Sequence, residues 1–82
     1  MTVTKIVNLS QMYPGQSGKV VQIGGGPGLV NRLGALGIRP GKRIAKIGSM
    51  LMRGPVTVQV DNTRVAIGFG MASKILVELD QT

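Results

Sequence analysis

The sequence contains no cysteine and no histidine. Without thiols it has neither a disulfide framework nor a thiolate metal site. Without imidazole it lacks the Ser-His-Asp triad and the usual general base at neutral pH. Long apolar runs are also missing, so no membrane span is predicted, and Met1–Ser10 has no apolar segment of the kind found in signal peptides. We therefore expect a cytoplasmic protein that is not an enzyme.

Acidic residues are scarce. Only Asp61, Glu78 and Asp80 oppose ten lysines and arginines, which leaves a net charge of +7. Asp61 suits a hairpin turn, whereas Glu78 and Asp80, two residues apart, either share a cation or form a solvated strand face. The positive excess favours an acidic partner such as a nucleic acid, an anionic membrane surface or an acidic protein. The alternative is that the charge only keeps a small domain soluble.

Aromatic residues are nearly absent. The chain has only Tyr13 and Phe69, and both are expected to lie in the core. Small barrels that bind nucleic acids usually combine positive charge with aromatic platforms, and grooves for proline-rich peptides have aromatic walls. The shortage of aromatic residues therefore argues against both, and no nucleic-acid partner is expected; nucleic-acid binding is kept as the alternative function because of the charge alone.

Thirteen glycines and four prolines separate short apolar segments, which predicts one all-β domain over residues 1–82. Alternation on both sides of Asp61-Asn62 predicts a hairpin that places Val58 opposite Val65 and Val56 opposite Ile67. The chain has about five such strands, which would close as a small, partly open barrel. The expected strands are Ser17–Gly24, Lys42–Ile47, Val56–Val60, Thr63–Ile67 and a last one from Ile75.

Helical structure is expected to be short. Leu29–Leu36 is the one good α-helix candidate, with Gly37 as a left-handed residue that ends it. Its predicted apolar face consists of Leu29, Val30, Leu33 and Leu36. Residues 24–28 are expected to be irregular, and helical turns are expected at residues 8–13 and 71–73. Gly28 and Arg32 near the helix start either meet an anion or belong to a tight turn.

The predicted loop from Gly48 to Gly54 carries the candidate interaction site. Met50, Leu51 and Met52 form an apolar run in mid-loop, flanked by Lys46 and Arg53. Such a tip beside positive charge is typical of a docking surface; the alternative is a hairpin tip folded over the barrel mouth. The candidate partner-binding residues are Met50, Leu51, Met52 and Arg53, together with Arg32 and Arg39. No catalytic residue, metal ligand or cofactor is predicted.

The segment from Arg32 to Gly41 resembles the FeoA family (ferrous iron transport protein A), whose pattern is close to R-L-x-x-L-G-hydrophobic-x-P-G. Later segments match that family in order: Gly54–Val56, Val65–Ile67 and Met71–Val77. The resemblance implies an SH3-like barrel and a cytosolic accessory role in bacterial ferrous iron uptake. It also implies that the partner is the cytosolic, GTP-binding part of the permease FeoB. The family offers no catalytic or metal residues to carry over.

Overall fold

The computed structural model describes residues 5–49 and 54–80. Its strands form one antiparallel sheet, in the spatial order β1-β6-β2-β3-β4-β5. The six strands are β1 Ile6–Asn8, β2 Ser17–Ile23, β3 Arg43–Ser49, β4 Val56–Val60, β5 Thr63–Ile67 and β6 Ile75–Leu79. The two end strands, β1 and β5, do not pair with each other, so the sheet curls around one core without closing.

Five of these strands are the expected ones, and β1 is an addition. It has only three residues, which is too short for an alternating pattern to stand out in the sequence. It pairs with β6 through Ile6–Glu78 and Val7–Val77. β3 also runs further than expected, because Gly48 and Ser49, predicted to lie in a loop, pair with the start of β4.

The hairpin of β4 and β5 confirms the predicted register. Val58 lies opposite Val65 and Val56 opposite Ile67. The turn residue Asp61 has a left-handed backbone (φ 55), a conformation that aspartate tolerates better than most residues. A slip of one residue would turn the apolar side chains of β5 away from the core.

One α-helix, α1, spans Pro27–Ala35. It begins two residues before the expected start, since proline has no backbone N–H to lose and favours the first helical position. Its end confirms the predicted cap: Gly37 is left-handed (φ 88), and the Ile38 amide donates to the Leu33 carbonyl at 2.9 Å. A single turn, α2, covers Phe69–Ala72, close to the helical turn expected over residues 71–73.

A short 3-10 helix over Leu9–Gln11 occupies the other expected helical turn. Asn8 caps it: the Asn8 side chain accepts from the Gln11 amide, and the Gln11 side chain accepts from the Asn8 amide, each at 3.2 Å. This reciprocal pair satisfies two backbone donors at the start of the turn. The turn points Leu9 into the core, where its side chain is fully buried.

The core lies on the inner face of the curled sheet, beneath α1 and the 3-10 helix. Its buried members are Leu9, Met12, Val20, Leu33, Ile38, Ile44, Val56, Val58, Val60, Ile67, Ala72, Ile75 and Val77. Within the described parts of the chain, no helix has the length and apolar character needed to cross a bilayer.

Three core assignments made from the sequence are wrong. Leu36 is 41% exposed because α1 ends at Ala35, so Leu36 is no longer on the helix face. Tyr13 is 73% exposed: its extended neighbour Met12 takes the core position, and alternation along extended backbone directs Tyr13 outward. Phe69 is half-buried rather than part of the core.

Candidate partner-binding surface

The C-terminal end of α1 presents two arginines to solvent. Arg32 lies in the last turn of α1 and Arg39 lies just beyond the Gly37 cap; both are exposed. The Arg32 side chain forms no hydrogen bond or ion pair with any residue in the described ranges 5–49 and 54–80. Its guanidinium is therefore available for a partner.

Arg39 is held in place by the helix it follows. Its Nη2 donates to the Gly34 carbonyl at 2.9 Å, one of the last carbonyls of α1, which also accepts from the Gly37 amide at 3.0 Å. Positive charge is favoured there because the helix dipole is negative at its C-terminus. One hydrogen bond uses only part of the guanidinium fork, so Arg39 keeps donors and charge for a ligand.

Lys46, expected to flank the candidate docking loop, instead faces the core. It lies opposite Val58 in the β3–β4 pairing, and Val58 is completely buried. Because paired residues share a face, this register turns Lys46 inward, where its side chain is only 4% exposed. Its Nζ donates to the backbone carbonyls of Ser10 and Met12, so it joins β3 to the 3-10 segment.

Burial lowers the pKa of Lys46 below the ordinary value for lysine, because the low-dielectric surroundings disfavour the charged ammonium. The two carbonyls supply the hydrogen bonds that a buried ammonium requires. Lys46 is therefore an internal crosslink and does not belong to the partner-binding surface.

Exposed apolar side chains flank the point where β3 ends. Ile47 is 38% exposed and Tyr13 73%. The Gly15 amide donates to the Lys46 carbonyl at 2.8 Å, which brings the turn containing Tyr13 alongside β3. Residues 50–53 follow directly, so the predicted contacts Met50, Leu51, Met52 and Arg53 lie outside the described residues.

The acidic residues lie on the outer side of the sheet. Asp80 accepts hydrogen bonds from Arg43 and Ser17. These bonds hold the pKa of Asp80 below the usual carboxyl value, and the bond from Arg43 has the larger effect. Asp61 pairs with Lys42 at 2.9 Å. Glu78 and Asp80 therefore do not share a cation in the described part of the chain, because Asp80 forms its ion pair with Arg43.

A shallow groove of about 270 Å³ opens on this outer face. Its lining includes Ser17, Arg43, Gln59 and Asp61. The lining cation Arg43 already pairs with Asp80, and the lining residue Asp61 pairs with Lys42, so an incoming anion would have to displace a carboxylate from either cation. The end of α1, where no acidic residue stands in the sequence, offers the less neutralised positive charge.

Nothing in the described ranges gathers three or more side chains of the types that hold a metal ion. Sequence reasoning missed two features of this region. The inward Lys46 was missed because its charge suggested an exposed position, although Arg43 is exposed and Ile44 buried as their polarity predicts. Strand alternation places Lys46 on the same face as the buried Ile44, two residues earlier, and its partner Val58 across the sheet is buried as well. The exposed Tyr13 was signalled by Pro14-Gly15, which forces a turn immediately after it.

The fold and its surface therefore define a small, SH3-like β domain with an exposed, positively charged helix end. Comparison with known proteins assigns it further: the FeoA domain model matches residues 7–79. The chain belongs to the FeoA family.

Individual proteins that are similar to this chain support the same family assignment. The chain is 36% identical over 73 residues to an Fe(2+) transport protein A of Methanocaldococcus jannaschii, covering 82% of this chain and 87% of that protein. A crystal structure of an iron uptake regulatory protein (FeoA) matches with a TM-score of 0.84 at 39% identity, covering 92% of this chain and 97% of that one. Stenotrophomonas maltophilia FeoA, solved with zinc and described as a prokaryotic SH3 domain protein, matches with a TM-score of 0.72 at 25% identity. That match covers 87% of this chain and 88% of the other.

Proposed function

We propose that this chain is a non-enzymatic accessory protein of ferrous iron transport that binds the cytosolic, GTPase-bearing part of the FeoB permease and modulates it. Membership of the FeoA family and the transport names of its relatives support the iron-transport role. The observation that carries the docking proposal is the exposed arginine pair at the end of α1, Arg32 and Arg39, which no carboxylate neutralises in the described part of the chain.

The proposed contacts are this pair, next to the start of β3, together with the apolar run Met50, Leu51 and Met52 and with Arg53, which follow the end of β3 in the sequence. Arginine and large apolar residues dominate binding energies at protein interfaces, and positive charge speeds encounter with an acidic partner. An SH3-like domain of this size has little surface for a deep cleft, which favours contact through a helix end and a loop.

The test is titration of the chain into the isolated cytosolic domain of FeoB, followed by calorimetry. Reversal of both helix-end charges (Arg32→Glu with Arg39→Glu) should weaken binding at least tenfold, about 1.4 kcal/mol. The loop variant Leu51→Asp with Arg53→Glu should do the same. Lys19→Glu, on the outer face of β2, is the control with one reversed charge and should change the affinity less than threefold.

The outcomes separate the function from the surface. If the unaltered chain does not bind the FeoB domain at all, the proposed partner is wrong. If it binds and neither double variant weakens the complex, the partner stands and the surface is wrong. The rate of GTP hydrolysis by the FeoB domain, measured with and without the saturating chain, then tests modulation: an unchanged rate would contradict it.

Nucleic-acid binding is the second candidate, and one observation favours it: Tyr13 is 73% exposed on a chain of charge +7. A stacked aromatic beside basic groups is a common way to hold single strands. Phosphate contacts would make the affinity fall steeply with salt. A fluorescent oligonucleotide that shows no binding at 50 mM salt would remove this candidate.

A further inference from the structure

The outer edge of β5 is left without a partner strand in the described part of the chain. β5 lies at one end of the sheet, and within residues 5–49 and 54–80 it pairs only with β4. No residue in the described ranges sends a hydrogen bond to its outer edge. β1, at the opposite end, has three residues against five in β5. Unpaired edges of this kind are templates for an added strand.

The backbone groups at this edge are assigned by the hairpin register. Val60 and Thr63 flank the two-residue turn, and such a turn is ordinarily closed by a hydrogen-bonded pair, with pairs alternating from there. On that alternation Thr63 and Val65 bond to β4. Arg64 and Ala66 direct their N–H and C=O groups away from it. Both are exposed, as an open edge requires.

The side chains of β5 show what kind of strand would fit. Arg64 stands on the outer face, opposite Gln59, and has no ion-pair partner among the described residues. Val65 points to the other face, where it is half-buried and packs against the core. A strand laid beside β5 would place alternate residues next to Arg64 and next to Val65. It therefore needs acidic and apolar residues in alternation.

Charge distinguishes this occupant from a second copy of the chain. Pairing β5 with itself would bring together two molecules that each carry +7, whereas an acidic segment is attracted to the same edge. We propose that β5 accepts an extended acidic–apolar segment of another protein as a seventh, antiparallel strand. This surface is a strand edge rather than a helix end, so the proposal goes beyond the FeoB contact described above and does not depend on it.

The test uses a blocked seven-residue peptide of sequence TVEVEVT as the probe, titrated into the chain and followed by NMR and calorimetry. Binding should perturb the amides of β5, with a dissociation constant below about 1 mM. Ala66→Pro removes an outward N–H without touching the ladder to β4, a substitution that edge strands tolerate. It should weaken binding at least tenfold.

A matched pair of neutral variants tests the charge. Arg64→Gln should weaken binding at least threefold, and the loss should shrink at high salt. Lys19→Gln makes the same change in net charge on β2, three strands and about 14 Å away, and should alter the affinity less than twofold. A peptide with lysine in place of glutamate should bind at least tenfold more weakly than the probe.

Methylated peptides test the backbone pairing independently of any protein variant. In the antiparallel arrangement, the glutamates lie opposite Arg64 and Ala66 and donate to β5. N-methylation of the glutamates should abolish binding, and N-methylation of the central valine, whose N–H faces away, should not. This readout remains decisive if Ala66→Pro fails to fold.

Four results would overturn the proposal. The first is no binding up to several millimolar peptide, and the second is equal binding of the two methylated peptides. The third is a lysine peptide that binds as tightly as the TVEVEVT probe. The fourth is a concentration-dependent dimer of the free chain that Ala66→Pro abolishes. The last result would identify a second copy of the chain as the occupant.

Discussion

Replacement of the buried Lys46 by methionine tests the internal crosslink between β3 and the 3-10 segment. The Lys46 Nζ donates to the Met12 and Ser10 carbonyls, the latter at a weak 3.4 Å. A hydrogen bond from a charged donor contributes about 1.5–3 kcal/mol, and a buried acceptor left without a partner costs about 1–3 kcal/mol. Relief of the ammonium desolvation offsets part of this loss. We expect Lys46→Met to lower the free energy of unfolding by about 2 kcal/mol.

Urea titration measures this change, and in a thermal melt it corresponds to a fall of roughly 10 °C in Tm for a domain of this size. Lys19→Met is the control, because Lys19 is exposed and surface replacements usually shift stability by less than about 0.5 kcal/mol. If Lys46→Met is as stable as the unaltered protein, or more stable, the carbonyls do not need the ammonium and the argument fails.

The pH dependence gives the same test a second readout. Burial lowers the pKa of Lys46 in the folded protein below its ordinary value of 10.5. Between those two pKa values the unfolded chain holds a proton that the folded chain has released, so the free energy of unfolding rises with pH. The stability advantage of the unaltered protein over Lys46→Met should therefore grow as the pH approaches 10.5. A constant difference would contradict the lowered pKa.

Three further predictions concern other parts of the fold. Leu33→Asp should abolish cooperative unfolding, because Leu33 is fully buried and an unpaired buried charge costs several kcal/mol; a sharp thermal transition would contradict this. Gly37→Ala should destabilise by about 1 kcal/mol because Gly37 is left-handed. Gly34→Ala, within α1 and facing open space, should instead raise the free energy of unfolding by about 0.5–1 kcal/mol. If urea titration shows that both glycine variants change the free energy of unfolding in the same direction, the backbone argument is refuted. NMR titration should give Asp80 a pKa below the usual carboxyl value, and Arg43→Gln should raise that pKa. The stability that the Arg43–Asp80 pair contributes is therefore present at neutral pH and is lost as the pH falls below the usual carboxyl value.

The sequence was sufficient for most of the sheet. Alternation on both sides of Asp61-Asn62 determined the β4–β5 register, because a one-residue slip would expose Val65 and Ile67. The end of α1 was equally predictable, since Gly37 is a residue that takes the left-handed cap without strain. In both places a local rule and the burial pattern agree.

Prediction failed where tertiary pairing overrides the local pattern. Lys46 was expected at the surface because it is charged, yet it shares the inner face of β3 with Ile44 and pairs with the buried Val58 across the sheet. Tyr13 and Leu36 were assigned to the core on hydrophobic character, yet a turn and a helix end direct them outward. β1 is too short to carry a pattern of its own.

The candidate surface stays a prediction, and the structure shows where two of its residues lie. Arg32 and Arg39 were correctly expected near the helix, and the structure adds the Arg39 contact with the Gly34 carbonyl. The contribution of Met50, Leu51, Met52 and Arg53 remains a prediction. A sequence shows that charge and apolar residues are available, but the surface they share depends on how a loop lies against its neighbours.

The most direct test of the docking claim is an NMR map of the isotopically labelled chain titrated with the cytosolic domain of FeoB. The account predicts that amide signals at the end of α1, around Arg32 and Arg39, and in residues 50–53 shift or broaden together, while signals in β2 and β6 stay in place. A spectrum that does not change at saturating FeoB domain, or changes confined to β2 and β6, would contradict it.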